Sequence, residues 1–365
     1  VTNNGEAQCN NTTPAITLIG SGVTAVSTPG ISNIPGGGST VFQWTYSAEA
    51  TGTVNFSCYA SGTDANSGLA VNAAAAPSQA LNIQTPANLI SGVTAPDSVS
   101  INQVFTVKLQ VTNIGGATAV GVAPNFNDPV INGTGTAVML TGPVPVNGSL
   151  TSFQNIEFIW TYSATATGNV TFSNYASATD SNSGLPVSSA STNKASVIQT
   201  RPSLAASMAM WPSTASVGQT MTVTMTVTNS GQAAARAVSP TALVKSGTGN
   251  AGLSGGPVSS PSPWDISGGS SRTYTWTYLA TSAGTFQLTG RAAGTDGNDS
   301  SAVQSSEASS QSVTIQAPAA LISQVSLSQS QVSTGNYLTV YLAVTNTGGA
   351  SANNITPSMF ESGAG

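Results

Sequence analysis

Three short segments of this chain carry oxygen-rich side chains at a spacing that builds either a cation site or a tight turn. They read Asp64-Ala65-Asn66-Ser67-Gly68, Asp180-Ser181-Asn182-Ser183-Gly184 and Asp296-Gly297-Asn298-Asp299-Ser300. Alternating oxygens closed by a turn residue are what a calcium loop uses, with Asp64, Asn66, Asp180, Asn182, Asp296 and Asn298 as ligands. The segments lack the later bidentate Glu and the charge of a tight site. Asp and Asn are also ordinary turn residues, whose side chains bond the backbone two positions on. A structural turn and a weak calcium site are both open at this point; no other cofactor is indicated.

Other chemistry has little to stand on. The chain has no His, which removes His-based triads, His metal sites and imidazole acid–base work. Two cysteines cannot make a tetrahedral zinc site unaided. Only Asp64, Asp180 and Asp296 among the acids recur at a fixed spacing, and each stands alone in a loop, so no carboxylate pair converges on a bond. No Gly-rich segment follows a strand and opens a helix to cradle phosphate. An internal Lys–Asn isopeptide bond is disfavoured, because Lys108 has no counterpart at the same place elsewhere. The reading is of a protein that is not an enzyme.

Composition points outside the cell. Charged residues are 5% of the chain, with Lys+Arg 7, Asp+Glu 12 and a net charge of −5. Ordinary soluble domains carry roughly 25%. Without a basic patch, nucleic-acid binding is excluded. No apolar run approaches the roughly 20 residues of a membrane span. Low charge density removes the repulsion that keeps proteins apart, so self-association into a polymer is expected. Sequons at Asn10, Asn11, Asn55, Asn132, Asn147, Asn169, Asn298 and Asn354 make glycans a further possible partner, although an Asn-, Ser- and Thr-rich chain produces about as many by chance.

The elements that position these loops repeat about every 116 residues. Trp44-Thr45-Tyr46 returns as Trp160-Thr161-Tyr162 and Trp276-Thr277-Tyr278; Val1-Thr2-Asn3 returns as Val111-Thr112-Asn113, Val227-Thr228-Asn229 and Val344-Thr345-Asn346. A period this long means an array of similar domains. Phe105, Val107, Leu109 and Val111 alternate with polar residues, the signature of a half-buried strand. Asn113-Ile114-Gly115-Gly116 follows as a turn, where Asn and Gly tolerate positive φ. Phe42, Trp44 and Tyr46, Phe158, Trp160 and Tyr162, and Tyr274, Trp276 and Tyr278 each place three aromatics on one strand face, the expected centre of each core. About seven short strands per repeat and no helical periodicity predict an all-β chain of tandem immunoglobulin-like β-sandwiches. The expected domains are 1–86, lacking its first strands; 87–202 and 203–317, both complete; and 318–365, the first strands of a further repeat. The joints at Gln84-Thr85-Pro86, Gln199-Thr200-Arg201-Pro202 and Gln316-Ala317-Pro318 are short and carry proline, so they should be semi-rigid.

Val217-Gly218-Gln219 leading into Val223-Thr224-Met225-Thr226-Val227-Thr228-Asn229-Ser230-Gly231 resembles the tandem surface repeats of bacterial and archaeal envelope proteins. So does Leu338-Thr339-Val340 through Val344-Thr345-Asn346-Thr347-Gly348-Gly349-Ala350. These are the immunoglobulin-like conserved-repeat domains, similar to the cell-adhesion-related domain found in bacteria. The resemblance implies an extracellular stalk, adhesin or fibre and brings no catalytic residues.

Cys9 falls where later repeats have Ala119 and Ala235, and Cys58 where they have Asn174 and Gly290. In an immunoglobulin sandwich these two strands are neighbours, so a Cys9–Cys58 disulfide is expected, in keeping with an oxidising compartment. Side-chain parity opposes it, with Thr12 and Phe56 turning the two thiols to opposite faces unless a bulge intervenes. Trp211 and Trp264 have no partners in other repeats and serve either as local anchors or as docking residues between domains or subunits. An extended run of sandwiches, extracellular or at the cell surface, fits a fibre or surface array; the alternative is the stalk of an adhesin that binds carbohydrate or another cell. The half-repeats at 1–86 and 318–365 suggest head-to-tail strand completion between copies. Residues 344–365 and 1–22 cover the same register, which an excerpt of a longer array explains equally well.

Overall fold

The computed structural model describes residues 1–258, 263–360 and 362. The described chain is all-β and forms tandem immunoglobulin-like sandwiches. In the second repeat one layer is a four-stranded sheet in the order Thr136–Val144, Asn155–Ala166, Val104–Asn113, Leu89–Thr94. The facing layer bends into two further four-stranded sheets, because the strand running from Gly168 breaks after Asn174 and resumes at Ala176. The third repeat copies this plan with Leu204–Trp211, Thr220–Asn229, Ser271–Ser282 and Asn250–Val258 in its first sheet. The bend gives more and shorter strand segments than the seven expected from turn spacing.

Alternation decides which face is buried. Phe105, Val107, Leu109 and Val111 lie at 0–5% exposure and face Tyr162, Trp160, Phe158 and Ile156 on the antiparallel neighbour. Phe158, Trp160, Tyr162, Tyr274, Trp276 and Tyr278 are all buried. Phe105, Tyr162 and Phe172 form a ring cluster with centroids 5.1–5.9 Å apart: Phe105 stacks on Tyr162, and Phe172 meets both rings tilted or edge-on, arrangements that aromatic quadrupoles favour. Their polar tips are satisfied: the Trp160 indole donates to the Asn127 carbonyl at 2.6 Å, and the Tyr274 hydroxyl to the Val238 carbonyl at 2.6 Å. Burial, followed by the hydrogen bond to Asp128, raises the Tyr162 hydroxyl well above the usual phenol range.

The first repeat departs from this pattern. Phe42, Trp44 and Tyr46 are only half-buried, and the strand there is assigned from Thr45 to Ala48 alone. In the later repeats the matching aromatics are covered by Val104–Asn113 or Thr220–Asn229. Here one bridge, Thr2 to Ser39, holds the equivalent register. Residues 318–365 contribute a two-stranded ribbon, Leu321–Leu327 with Val340–Asn346, whose residues are all exposed.

Each first strand switches layers. After Leu89–Thr94 the chain crosses to the other sheet, where Ser98–Ser100 pairs in parallel with Val197–Gln199. Thr214–Ser216 does the same with Thr314–Gln316.

Candidate functional site

The three Asp-x-Asn loops fold alike, and each Asp caps its own turn. Asp64 Oδ1 accepts the Asn66 and Ser67 amides at 2.9 and 2.7 Å, and Asp180 Oδ1 accepts the Asn182 and Ser183 amides at 2.9 and 2.8 Å. Asp296 Oδ1 accepts the Asn298 amide at 2.9 Å. The fifth position takes a left-handed backbone, at φ 71 in Gly68, 70 in Gly184 and 61 in Ser300. Gly relieves strain there in the first two loops. Carboxylate lone pairs directed at N–H donors are the chemistry of a turn. Among the described residues no three His, Cys, Asp or Glu side chains gather as a metal-binding group.

The second carboxylate oxygen reaches outward, and what it meets differs between repeats. Asp180 Oδ2 accepts the Ala87 amide at 2.6 Å, in a buried bond. That amide, followed by the Ser183 amide, holds the Asp180 carboxyl below the usual range. In the third repeat the residue at the place of Ala87 is Pro202, two before the strand start in each case, and proline has no N–H to give. Asp296 Oδ2 instead accepts the Ser100 hydroxyl of the preceding sandwich at 2.7 Å and the Arg201 guanidinium at 3.3 Å. Arg201 also reaches Asp299 at 2.6 Å, Ser301 Oγ at 2.7 Å and the Ile101 carbonyl at 3.1 Å. The loop has become a joint between domains.

Asn298 completes the joint. Its amide nitrogen donates to Ser100 Oγ at 3.0 Å and Gln199 Oε1 at 3.1 Å, and its oxygen accepts the Ser98 hydroxyl at 2.8 Å. The sequon at Asn298 therefore has its amide engaged between two sandwiches. At the first joint Asn182 donates to Gln84 Oε1 at 3.1 Å, the same pairing of loop Asn with linker Gln. The linkers are further tied down where Thr85 and Thr200 accept the Ala117 and Ala233 amides at 2.9 and 3.0 Å.

A second recurrent residue, which the sequence presents only as part of a turn, does more. Asn113 is fully buried: its Oδ1 accepts the Asn88 and Gly115 amides, and its Nδ2 donates to the Ala117 and Leu150 carbonyls, all at 2.8–3.1 Å. Asn229 repeats the set with Ser203, Gly231, Ala233 and Ile266. The expected positive φ at this turn is not found; the side chain makes the turn. Gly115 is needed for close approach, since a Cβ there would lie 2.1 Å from the Pro86 carbonyl oxygen.

The cysteine expectation is corrected. Cys9 and Cys58 lie on paired strands, Cys9–Gly20 and Gly52–Asp64, but Cys9 is opposite Asp64 and Cys58 opposite Ile16. Six strand positions separate Asp64 from Cys58, roughly 20 Å at the rise of a strand, whereas a disulfide needs Cα atoms within about 7 Å. Both thiols are free. A bulge does interrupt the register between Asn10 and Thr13, but it does not slide the strand far enough.

Lys108 pairs with Glu157 at 3.0 Å on the outer face of its sheet. Trp264 lies under the Arg272 guanidinium, 4.1 Å from the ring centroid, with its indole N–H buried and lacking an acceptor among the described residues. Trp211 is 73% exposed on an edge strand. No helix among the described residues is long and apolar enough to cross a membrane.

No protein-family model matches the chain, and no curated protein matches it. Among solved structures it is similar to FdeC, described as a broadly conserved Escherichia coli adhesin, at 14% identity over 86% of this chain and 88% of that one, with a TM-score of 0.30. It is also similar to native E. coli alpha-2-macroglobulin at 12% identity, over 88% of this chain but 24% of that one, with a TM-score of 0.24.

Proposed function

We propose that the chain is a structural subunit or segment of an extracellular fibre or surface array, built of immunoglobulin-like domains with boundaries at 86/87, 202/203 and 317/318 and joined head to tail by strand completion. The observation that carries this reading is the ribbon at 321–346. Leu321, Val325, Val340, Leu342 and Val344 are 38–63% exposed, whereas their counterparts Leu89, Val93, Val107, Leu109 and Val111 are 0–8% exposed in the second sandwich. In that sandwich Val107 faces Trp160 and Leu109 faces Phe158. The same register sets Val340 against Trp44 and Leu342 against Phe42, two half-buried aromatics lining a cleft of about 430 Å³. Burying Val340 and Leu342 against these aromatics is worth about 1.5–3 kcal/mol each, while the place of Val344 is already held by Val1 beside the Thr2–Ser39 bridge.

Light scattering and electron microscopy of the purified 365-residue chain test the reading. Concentration-dependent filaments are the expected outcome. A well-folded monomer at every concentration rejects strand completion.

The stalk of a cell-surface adhesin is the second reading. It shares the same rod and is favoured by one observation, the Trp211 indole standing in solvent where a sugar ring could stack. Glycan-array binding lost in Trp211→Ala would favour it.

A further inference from the structure

The pairing of loop Asn with linker Gln occurs at both joints within the chain, Asn182 with Gln84 and Asn298 with Gln199, each at 3.1 Å. The same two residue types stand at a third loop and a third linker, as Asn66 and Gln316. Among the described residues neither of these side-chain amides has a hydrogen-bond partner. The surroundings are matched too. Gln316 pairs in parallel with Ser216 as Gln199 does with Ser100. Gln219 Oε1 accepts the Ser216 amide at 3.1 Å as Gln103 Oε1 accepts the Ser100 amide at 2.7 Å. The end of the third sandwich thus repeats the surface on which the Asp296 loop sits. On the other side, the Asp64 loop has the same internal carboxylate hydrogen bonds as the Asp180 loop and shares the bond from the loop Asn amide with the Asp296 loop.

We propose that the loop Asp64–Gly68 of one copy docks on the Ser216, Gln219 and Gln316 surface of a second copy, with the Asn66 amide donating to Gln316 and the backbone amide of Ala319, which stands at the place of Ala87, donating to Asp64 as Ala87 does to Asp180. This rests on the self-associating reading above and adds to it a polar contact that fixes the rotation of one copy on the next. Hydrophobic strands alone can slide, while a single complementary amide pair selects one register. The contact differs from the internal joint in charge. Pro318 stands where the third sandwich has Arg201, so no guanidinium reaches the loop and the contact has little dependence on salt.

The test is site-directed cross-linking of the full chain in a Cys9→Ser, Cys58→Ser background, carrying Asn66→Cys and Gln316→Cys. A short bis-maleimide is the reagent, because paired amide tips leave the backbones too far apart for a disulfide. Gln199→Cys with Asn298→Cys is the control and should be bridged within one chain. A ladder of covalent dimers and higher species, unchanged by added salt, is expected. Oligomers that form without a 66–316 bridge, while the control bridges, overturn the docking and leave strand completion standing. A chain that stays monomeric overturns both. Asn66→Ala provides a second measurement at an exposed position, expected to weaken association several-fold without altering the melting of the chain.

Discussion

Arg201 and Asp299 face each other at the joint of the second and third sandwiches, Nη2 to Oδ2 at 2.6 Å, and the same guanidinium reaches the 1%-exposed Asp296 at 3.3 Å. Truncation would leave Asp296 with the Ser100 hydroxyl as the remaining donor to its outer oxygen. Arg201→Ala should therefore destabilise the third sandwich and its joint by about 1–3 kcal/mol, and small-angle scattering of the variant should show a wider spread of interdomain angles. An unchanged melting profile and scattering curve would refute the strut.

The acid side of the same pair gives a pH dependence. Desolvation works to raise the Asp299 carboxyl, but hydrogen bonds from Arg201 and Ser301 outweigh it and hold the group at about 2, below its ordinary 3.8. A group depressed in the folded state contributes its stabilisation above 3.8 and loses it as pH falls toward about 2. Melting temperature should be flat above that window and drop within it, with a smaller drop in Asp299→Asn.

Replacing Asn113 by Asp tests the buried bracket. The carboxylate could still accept from Asn88 and Gly115 but could not donate to Ala117 and Leu150. Two orphaned carbonyls and a buried charge should cost about 3 kcal/mol or more, read by urea unfolding.

How much of this could be read from the chain alone depended on the range of the signal. Alternation through Phe105–Val111 fixes a face because successive strand side chains point to opposite sides, and the aromatics at 158–162 and 274–278 are where it sets them. Their prolines mark the joints in the sequence, but nothing in the sequence marks the guanidinium lock. Whether Arg201 reaches Asp299 depends on how two domains meet, and no period along one domain carries that. Asn113 looked like a turn residue because its partners Asn88 and Leu150 lie 25 and 37 positions away. The disulfide expectation fails on strand register: the sequence shows that the two strands are neighbours but carries no sign of the six-position offset between Asp64 and Cys58.

The fifth position of the third loop offers a gain. Ser300 holds φ 61, where Gly68 and Gly184 stand in the other loops. Ser300→Gly should stabilise the third sandwich by about 0.5–1 kcal/mol, measured as a shift in its thermal midpoint.

Two free thiols make a direct check on the first repeat. Alkylation of the unreduced, unfolded chain should add two adducts to the intact mass, one each at Cys9 and Cys58.

The parallel pairing of Ser98–Ser100 with Val197–Gln199, and of Thr214–Ser216 with Thr314–Gln316, bears on how the chain responds to force. Strands near the two ends of a domain run side by side in the same direction, so tension pulls them along their length in opposite senses. The hydrogen bonds between them are then loaded in shear and must break together, whereas a hairpin pulled from one end would unzip bond by bond. The second and third sandwiches therefore each have a mechanical clamp beside their joint, and a tether made of such units would resist extension before either domain yielded.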